Sequence, residues 1–229
     1  MRRLLIALLF VFASLPVAGV NTVVVMRHAA AGGAFCDGTF GVCEEFGGTL
    51  GSWTQKLGTA TISGGQLVSP ASGNGMLLIT AATGGLTQYA IAKLVDWPAS
   101  SNQLGVTLRY RSDDTQYHYV AVVEPSTNIV YWSTYDNTGG WKEDVQQCSL
   151  TFAKGNYVAA KVTGTSTATV FEVWKYTSAP TAAPSGTADC TFTNDPSVSF
   201  PADSGLLIGI AQENSATTKI YDDFAGGGS

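Results

Sequence analysis

Two tryptophans, Trp132 and Trp174, sit in β-type runs that also carry Arg109, Arg111, His118 and Glu172. Aromatic rings pack on C–H faces, and guanidinium, imidazole and carboxylate groups exchange hydrogen bonds with hydroxyls. Together these residue types could hold a sugar. They could equally be core tryptophans beside solvated strand residues. A third arrangement uses loops, because Asp113, Asp114, Asp136, Asn137 and Trp141 fall at polar breaks between the runs. The elements that carry these residues decide among the three.

The stretch from Gln103 to Asp136 holds three β-rich runs with short polar breaks, the pattern of an antiparallel meander. In the first run Leu104, Val106, Leu108 and Tyr110 alternate with Gly105, Thr107, Arg109 and Arg111. In the second, Tyr117, Tyr119, Ala121 and Val123 alternate with Gln116, His118, Val120 and Val122. In the third, Val130, Trp132 and Thr134 alternate with Ile129, Tyr131, Ser133 and Tyr135. Successive strand side chains point to opposite faces, so one face packs on a second sheet and the other meets solvent or a ligand.

Further strands are predicted over 43–46, 59–63, 66–68, 76–80, 87–97, 156–163, 167–177, 205–212 and 219–224. Gly64-Gly65 and Gly164-Thr165-Ser166 read as hairpin turns. Residues 141–152 take no firm assignment, and 178–203 read as the longest loop. No three-turn helix with an apolar stripe follows residue 30. The expected fold is all-β: a two-sheet antiparallel sandwich.

The chain has 229 residues, 45% of them hydrophobic and only 13% charged, with 26 glycines. That suits one β domain with a sizeable core. A net charge of -5 without a basic stripe argues against a nucleic-acid partner. Arg2 and Arg3 precede an apolar run from Leu4 to Phe12, with small residues at Ala13, Ser14, Ala18 and Gly19. Residues 1–19 therefore read as a secretory signal, or as the start of an anchor extending to Met26, which would be the chain's one membrane contact. Residues 20–34 read as a linker and 35–229 as the domain. Cys36, Cys43, Cys148 and Cys190 make an even set in an exported chain. Three pairings are possible. The nearest-neighbour one, Cys36–Cys43 with Cys148–Cys190, is the most economical and would tether the long loop.

Four pieces carry a family likeness: Gly48 to Thr54 (GTLGSWT), Ile62 to Leu67 (ISGGQL), Tyr117 to Val122 (YHYVAV) and Lys219 to Gly226 (KIYDDFAG). They resemble the concanavalin A-like lectin/glucanase superfamily, and are closest to its laminin-G-like jelly-roll modules. The resemblance spans roughly 35–226. It implies two antiparallel sheets, one concave, with ligands held on the concave face or its rim. Arg109, His118, Trp132, Glu172 and Trp174 would then share the concave face. Glucanases of the superfamily carry Glu-x-Asp-x-x-Glu on one strand, and that motif is absent. Glu172 has no carboxylate at i+2 or i+4, whereas glycoside hydrolysis needs a pair. The expected function is a secreted or surface-displayed binding module for a glycan or cell-surface polysaccharide. The alternative is a structural or assembly domain.

The resemblance also implies neighbouring first and last strands, often with calcium beside them. Here Glu44-Glu45 opens the domain and Asp222-Asp223 closes it. Acidic pairs on adjacent strands repel unless a cation separates them. The expected ligands are Glu45 and Asp223, with Glu44 and Asp222 in the other register. Solvated carboxylates, paired with Lys219 or Lys56, are the alternative.

Overall fold

The β-branched and aromatic runs form strands because such side chains fit a pleated, half-buried surface. A computed structural model describes residues 26–28, 35–37, 39–51, 53–69, 76–82, 85–97, 103–111, 118–136, 140–165, 168–193, 206–212 and 220–228. The strands in chain order are β1 (Met26–His28), β2 (Val42–Glu44), β3 (Thr54–Leu57), β4 (Thr61–Ser63), β5 (Gln66–Val68), β6 (Met76–Ala82), β7 (Gln88–Asp96) and β8 (Leu104–Arg111). They continue as β9 (His118–Glu124), β10 (Ile129–Asp136), β11 (Gly140–Ser149), β12 (Tyr157–Thr163), β13 (Val170–Tyr176), β14 (Cys190–Thr193), β15 (Leu206–Gln212) and β16 (Ile220–Gly228). Among the described residues the helical content is one 3-10 turn, Phe35–Asp37.

Two sheets result. The nine-stranded sheet runs β1-β2-β16-β7-β12-β13-β14, with β5 on β16 and β4 on β5. The seven-stranded sheet runs β11-β10-β9-β8-β15-β6-β3. All pairings are antiparallel except β1 with β2. The meander β8-β9-β10 forms as expected. So does the β4-β5 hairpin, whose Gly64 and Gly65 both take positive φ.

Leu104, Val106 and Leu108 meet Ala90, Ala92 and Leu94 in one core between the sheets. Polar side chains cross that gap as well. Gln88 of β7 donates to Leu206 O at 3.2 Å and accepts from Arg109 N–H at 2.7 Å. Tyr221 of β16 donates to Ala211 O of β15 at 3.1 Å. One side of the sandwich is closed where β11 faces β14. There the Gln146 amide bonds both the Thr193 carbonyl and the Thr193 N–H, at 2.6 and 3.2 Å, in the manner of a ladder pair. Cys148–Cys190 joins the same two strands and Cys36–Cys43 forms separately, as the nearest-neighbour reading expects.

Several expectations change. The expected loop 178–203 contains β14, and β3 lies where no strand was expected. Met26–His28 falls in the expected linker, yet it extends the sheet beside β2; a three-residue strand is too short to show a period. Residues 141–152 contain β11, whose polar composition suits an edge strand. The side of Tyr110 is reversed. Arg109 takes φ 52, a left-handed conformation that interrupts strict alternation, so Tyr110 joins the outer face with Leu207 opposite. The signal or anchor segment, residues 1–19, lies outside the described residues. Among the described residues no helix is long and apolar enough to cross a membrane.

Candidate functional site

The residues expected to share one ligand face are dispersed. Trp132 is fully buried in the inter-sheet core, stacked on Phe171 at 5.7 Å and tilted against Phe192 at 6.4 Å. Val130 and Trp132 do share a face, but it is the inner one. Arg109 is also buried; its guanidinium donates to the carbonyls of Leu86 and Gly164 and so ties β8 to loops flanking the nine-stranded sheet. Trp174 lies on the outer face of the nine-stranded sheet, buried with Phe35, Cys36 and Phe40. Glu172 is half-buried; its register partners are Lys161 and Thr191. His118 lies in β9 opposite Tyr135, and its side chain is outside the described residues. Asp113, Asp114 and Asn137, and the side chains of Asp136 and Trp141, are outside them too.

The outer face of the seven-stranded sheet carries a different set. Thr107 falls between the core residues Val106 and Leu108, and Ser133 follows the core residue Trp132, so both hydroxyls turn away from the core. Ser133 pairs with Val120, Val120 with Thr107, and Thr107 with Gly209, which places them in one row across the sheet. Thr107 and Ser133 are fully buried, and neither hydroxyl finds a hydrogen-bond partner among the described residues. Tyr110, Tyr131 and Ala211 form a cluster on this face, with Ile129 and Leu207 against it. The Lys56 ammonium stands 5.8 Å from the Tyr110 ring centre. Aromatic rings and an ammonium are equipment for a hydroxyl-rich ligand, whereas the two hydroxyls are enclosed beneath this face. The sequence held a signal for this face in the Thr107–Arg111 and Ile129–Ser133 alternations, obscured by the break at Arg109.

The chain's two acidic pairs meet as expected, with Glu44 opposite Phe224 across β2 and β16. The Lys93 ammonium of β7 lies 3.4 Å from Asp222 Oδ2 and 3.5 Å from Asp223 Oδ2. The Tyr157 hydroxyl donates to Asp223 Oδ2 at 2.7 Å. Glu44 Oε1 accepts from Phe46 N–H at 2.9 Å, and Glu45 Oε1 from Cys36 N–H at 3.0 Å. Burial pushes the Asp223 carboxyl above its usual range, reinforced by Asp222 and opposed by Tyr157 and Lys93. Tyr157 is raised too, first by burial and then by its bond to Asp223.

Calcium takes about six to eight oxygens. Among the described residues no three potential ligand side chains form a metal cluster, and the ammonium beside both aspartates is that of Lys93.

No family model and no curated protein matches the chain. Solved structures do. A carbohydrate-binding module, CBM66 from Bacillus subtilis, matches at TM-score 0.51 and 11% identity, over 77% of this chain and 95% of the module. A bifunctional GH43-CE protein of Bacteroides eggerthii matches at TM-score 0.51 and 11% identity, over 82% of this chain and 26% of that one. A Bacillus subtilis protein of unknown function with a galectin-like fold matches at TM-score 0.50 and 10% identity, over 81% of this chain and 94% of that one. At such identities the likeness is one of fold, and that fold is the concanavalin A-like, galectin-like jelly roll.

Proposed function

We propose that the chain is a non-catalytic carbohydrate-binding module working outside the cytoplasm, with its glycan held on the outer face of the seven-stranded sheet. The observation that carries this reading is the fold, which 77% of this chain shares with a carbohydrate-binding module. Tyr110 and Tyr131, with the Lys56 ammonium against the Tyr110 ring, support the outer face as the place, since a sugar offers C–H faces to tyrosines.

Two further observations support it. Glu172 has Lys161 and Thr191 opposite it, not a second carboxylate, and glycoside hydrolysis needs an acid and a base or nucleophile. The disulfides suit an oxidising compartment and a cell-surface or secreted polysaccharide as partner. The test is a glycan array followed by calorimetric titration of the best glycan. Lys56→Ala and Tyr131→Ala should each weaken binding at least about tenfold, equivalent to about 1.4 kcal/mol. Glu172→Gln should leave it unchanged. An array with no glycan bound, or variants that bind as the parent does, would remove the proposal. Release of reducing sugar that disappears in Glu172→Gln would replace it with a hydrolase.

A further inference from the structure

Lys93, Asp222, Asp223, Glu45 and Tyr157 gather on the outer face of the nine-stranded sheet, away from the proposed glycan face. Lys93 lies opposite Asp222, and the register slips between Asp222 and Phe224. Asp223 occupies that irregularity with φ 44, a left-handed conformation. Both aspartates reach the Lys93 ammonium, but the Asp223 side chain is the more enclosed, 13% exposed against 20%. Asp223 also holds the Tyr157 hydroxyl. The Tyr157 ring stacks on Phe35 at 5.6 Å and has the Lys93 ammonium 5.8 Å from its centre. Glu45 is 4% exposed and near enough for its charge to act on Tyr157. One of its oxygens, Oε2, has no hydrogen-bond partner among the described residues.

We propose that Lys93 and Asp223 condense into an amide that ties β7 covalently to β16, with Asp222 carrying protons and Tyr157 holding the carbonyl oxygen. Asp222 takes one ammonium proton from Lys93 and passes it to an Asp223 carboxylate oxygen. The Lys93 Nζ lone pair then attacks Asp223 Cγ, and the Nζ–Cγ bond forms. The added nitrogen gives a second proton to Asp222, which delivers it to the new hydroxyl; the Cγ–OH bond breaks and water leaves. An ammonium and a carboxylate become an amide and one water, so no oxidant, metal or co-substrate is required.

Each part of the arrangement serves that step. The Asp223 side chain is enclosed, 13% exposed, and enclosure works against the charged carboxylate and toward the electrophilic carboxyl. The Tyr157 O–H points at the oxygen where negative charge develops. The Asp222 carboxylate accepts a hydrogen bond from Lys93 Nζ at 3.4 Å, near the reach at which a general base works. The strands hold amine and carboxyl together, so the encounter costs no translational freedom. The product removes two charges from a site where two carboxylates share one ammonium.

The test uses the full chain, purified and denatured, with and without reduction. Its mass should be lower by one water after the disulfides are accounted for. Trypsin should fail to cut after Lys93, and a branched peptide should join Lys93 to Asp223. Lys93→Arg and Asp223→Ala should restore the full mass, and Asp222→Asn should leave the uncrosslinked form in the majority. The parent protein decides the matter even if a variant fails to fold. Quantitative recovery of a linear peptide ending at Lys93 overturns the proposal, as does a bond mapped to Asp222. An undiminished cross-link in Asp222→Asn overturns the role of Asp222.

Discussion

Trp132 and Trp174 are buried by different means. Trp132 lies between two sheets that must pack in any case, where Phe171, Phe192, Val123 and Val130 belong to the same core. Trp174 lies on an outer sheet face, in a cluster to which the segment crossing that face contributes Phe35, Cys36, Phe40 and Cys43. Along it Cys43, Ala225, Ile91, Ala159 and Trp174 form one transverse row. Phe35 and Phe40, stacked at 5.2 Å, cover the row, and Thr39 N–H anchors the segment to Thr181 O at 3.0 Å. The sandwich interior is thus a consequence of alternation. The outer cluster depends on a strap, and a strap can move without the sheets separating.

The largest expected effect separates the two tryptophans directly. Trp132→Ala should cost about 3–5 kcal/mol, because neighbours fixed in two sheets cannot collapse into the space left. Trp174→Ala should cost about 2 kcal/mol, since the strap can settle toward the sheet. Urea titrations of both variants measure the difference. Equal losses would mean that the strap is as rigid as the sheets. Both variants should retain any glycan affinity that the folded protein has.

The disulfides give the next comparison. Cys148–Cys190 spans 42 residues and closes the edge of the sandwich, whereas Cys36–Cys43 spans 7 and stiffens the strap. Loop-closure entropy gives about 4 kcal/mol for the longer and about 2.4 kcal/mol for the shorter. Removing the pair Cys148 and Cys190 as serines should therefore lower the unfolding midpoint more than removing Cys36 and Cys43. The shorter bridge should affect local hydrogen exchange instead, with protection lost around Ile91 and Ala159 before the global transition.

These contrasts also explain what was legible in the sequence. Alternation reads correctly wherever a strand is regular, as in Leu104, Val106 and Leu108, all in the core. It gives pairs of opposite faces without saying which one is inside, and Trp132 was expected on the wrong one for that reason. It fails at Arg109, where a left-handed residue changes the phase and no glycine marks the irregularity. It places Glu172 and Trp174 on one face, which is right, but it carries no information about a strap arriving from a hundred residues away. Adjacent acidic pairs at the two ends were legible as a charge problem. That β7 would supply Lys93 as the answer depends on strand order, which no local pattern encodes. The cysteine pairing was legible because nearness in sequence coincided with nearness in space.

The smallest expected effect concerns two phenols, one in each region. Tyr221 is fully buried between the sheets and donates to Ala211 O, while Tyr157 lies under the strap and donates to Asp223. Burial raises both above the ordinary tyrosine value. A raised folded-state value means that the folded protein keeps a proton which the unfolded chain releases above about pH 10. Stability from this source is complete below that pH and falls as the pH climbs above it. Tyr221→Phe should cost about 1 kcal/mol at neutral pH through the lost hydrogen bond. Its deficit relative to the parent should shrink as the pH rises, because the variant has no phenol to hold neutral there. Tyr157→Phe should behave alike but more weakly, since a strap that lifts can let water reach the phenolate. The measurement is chemical denaturation of the three proteins at neutral pH and through the alkaline range. Alkaline limbs that stay parallel would show that neither phenol is kept neutral by the fold, and a steeper dependence on Tyr157 than on Tyr221 would reverse the order of rigidity between strap and interior.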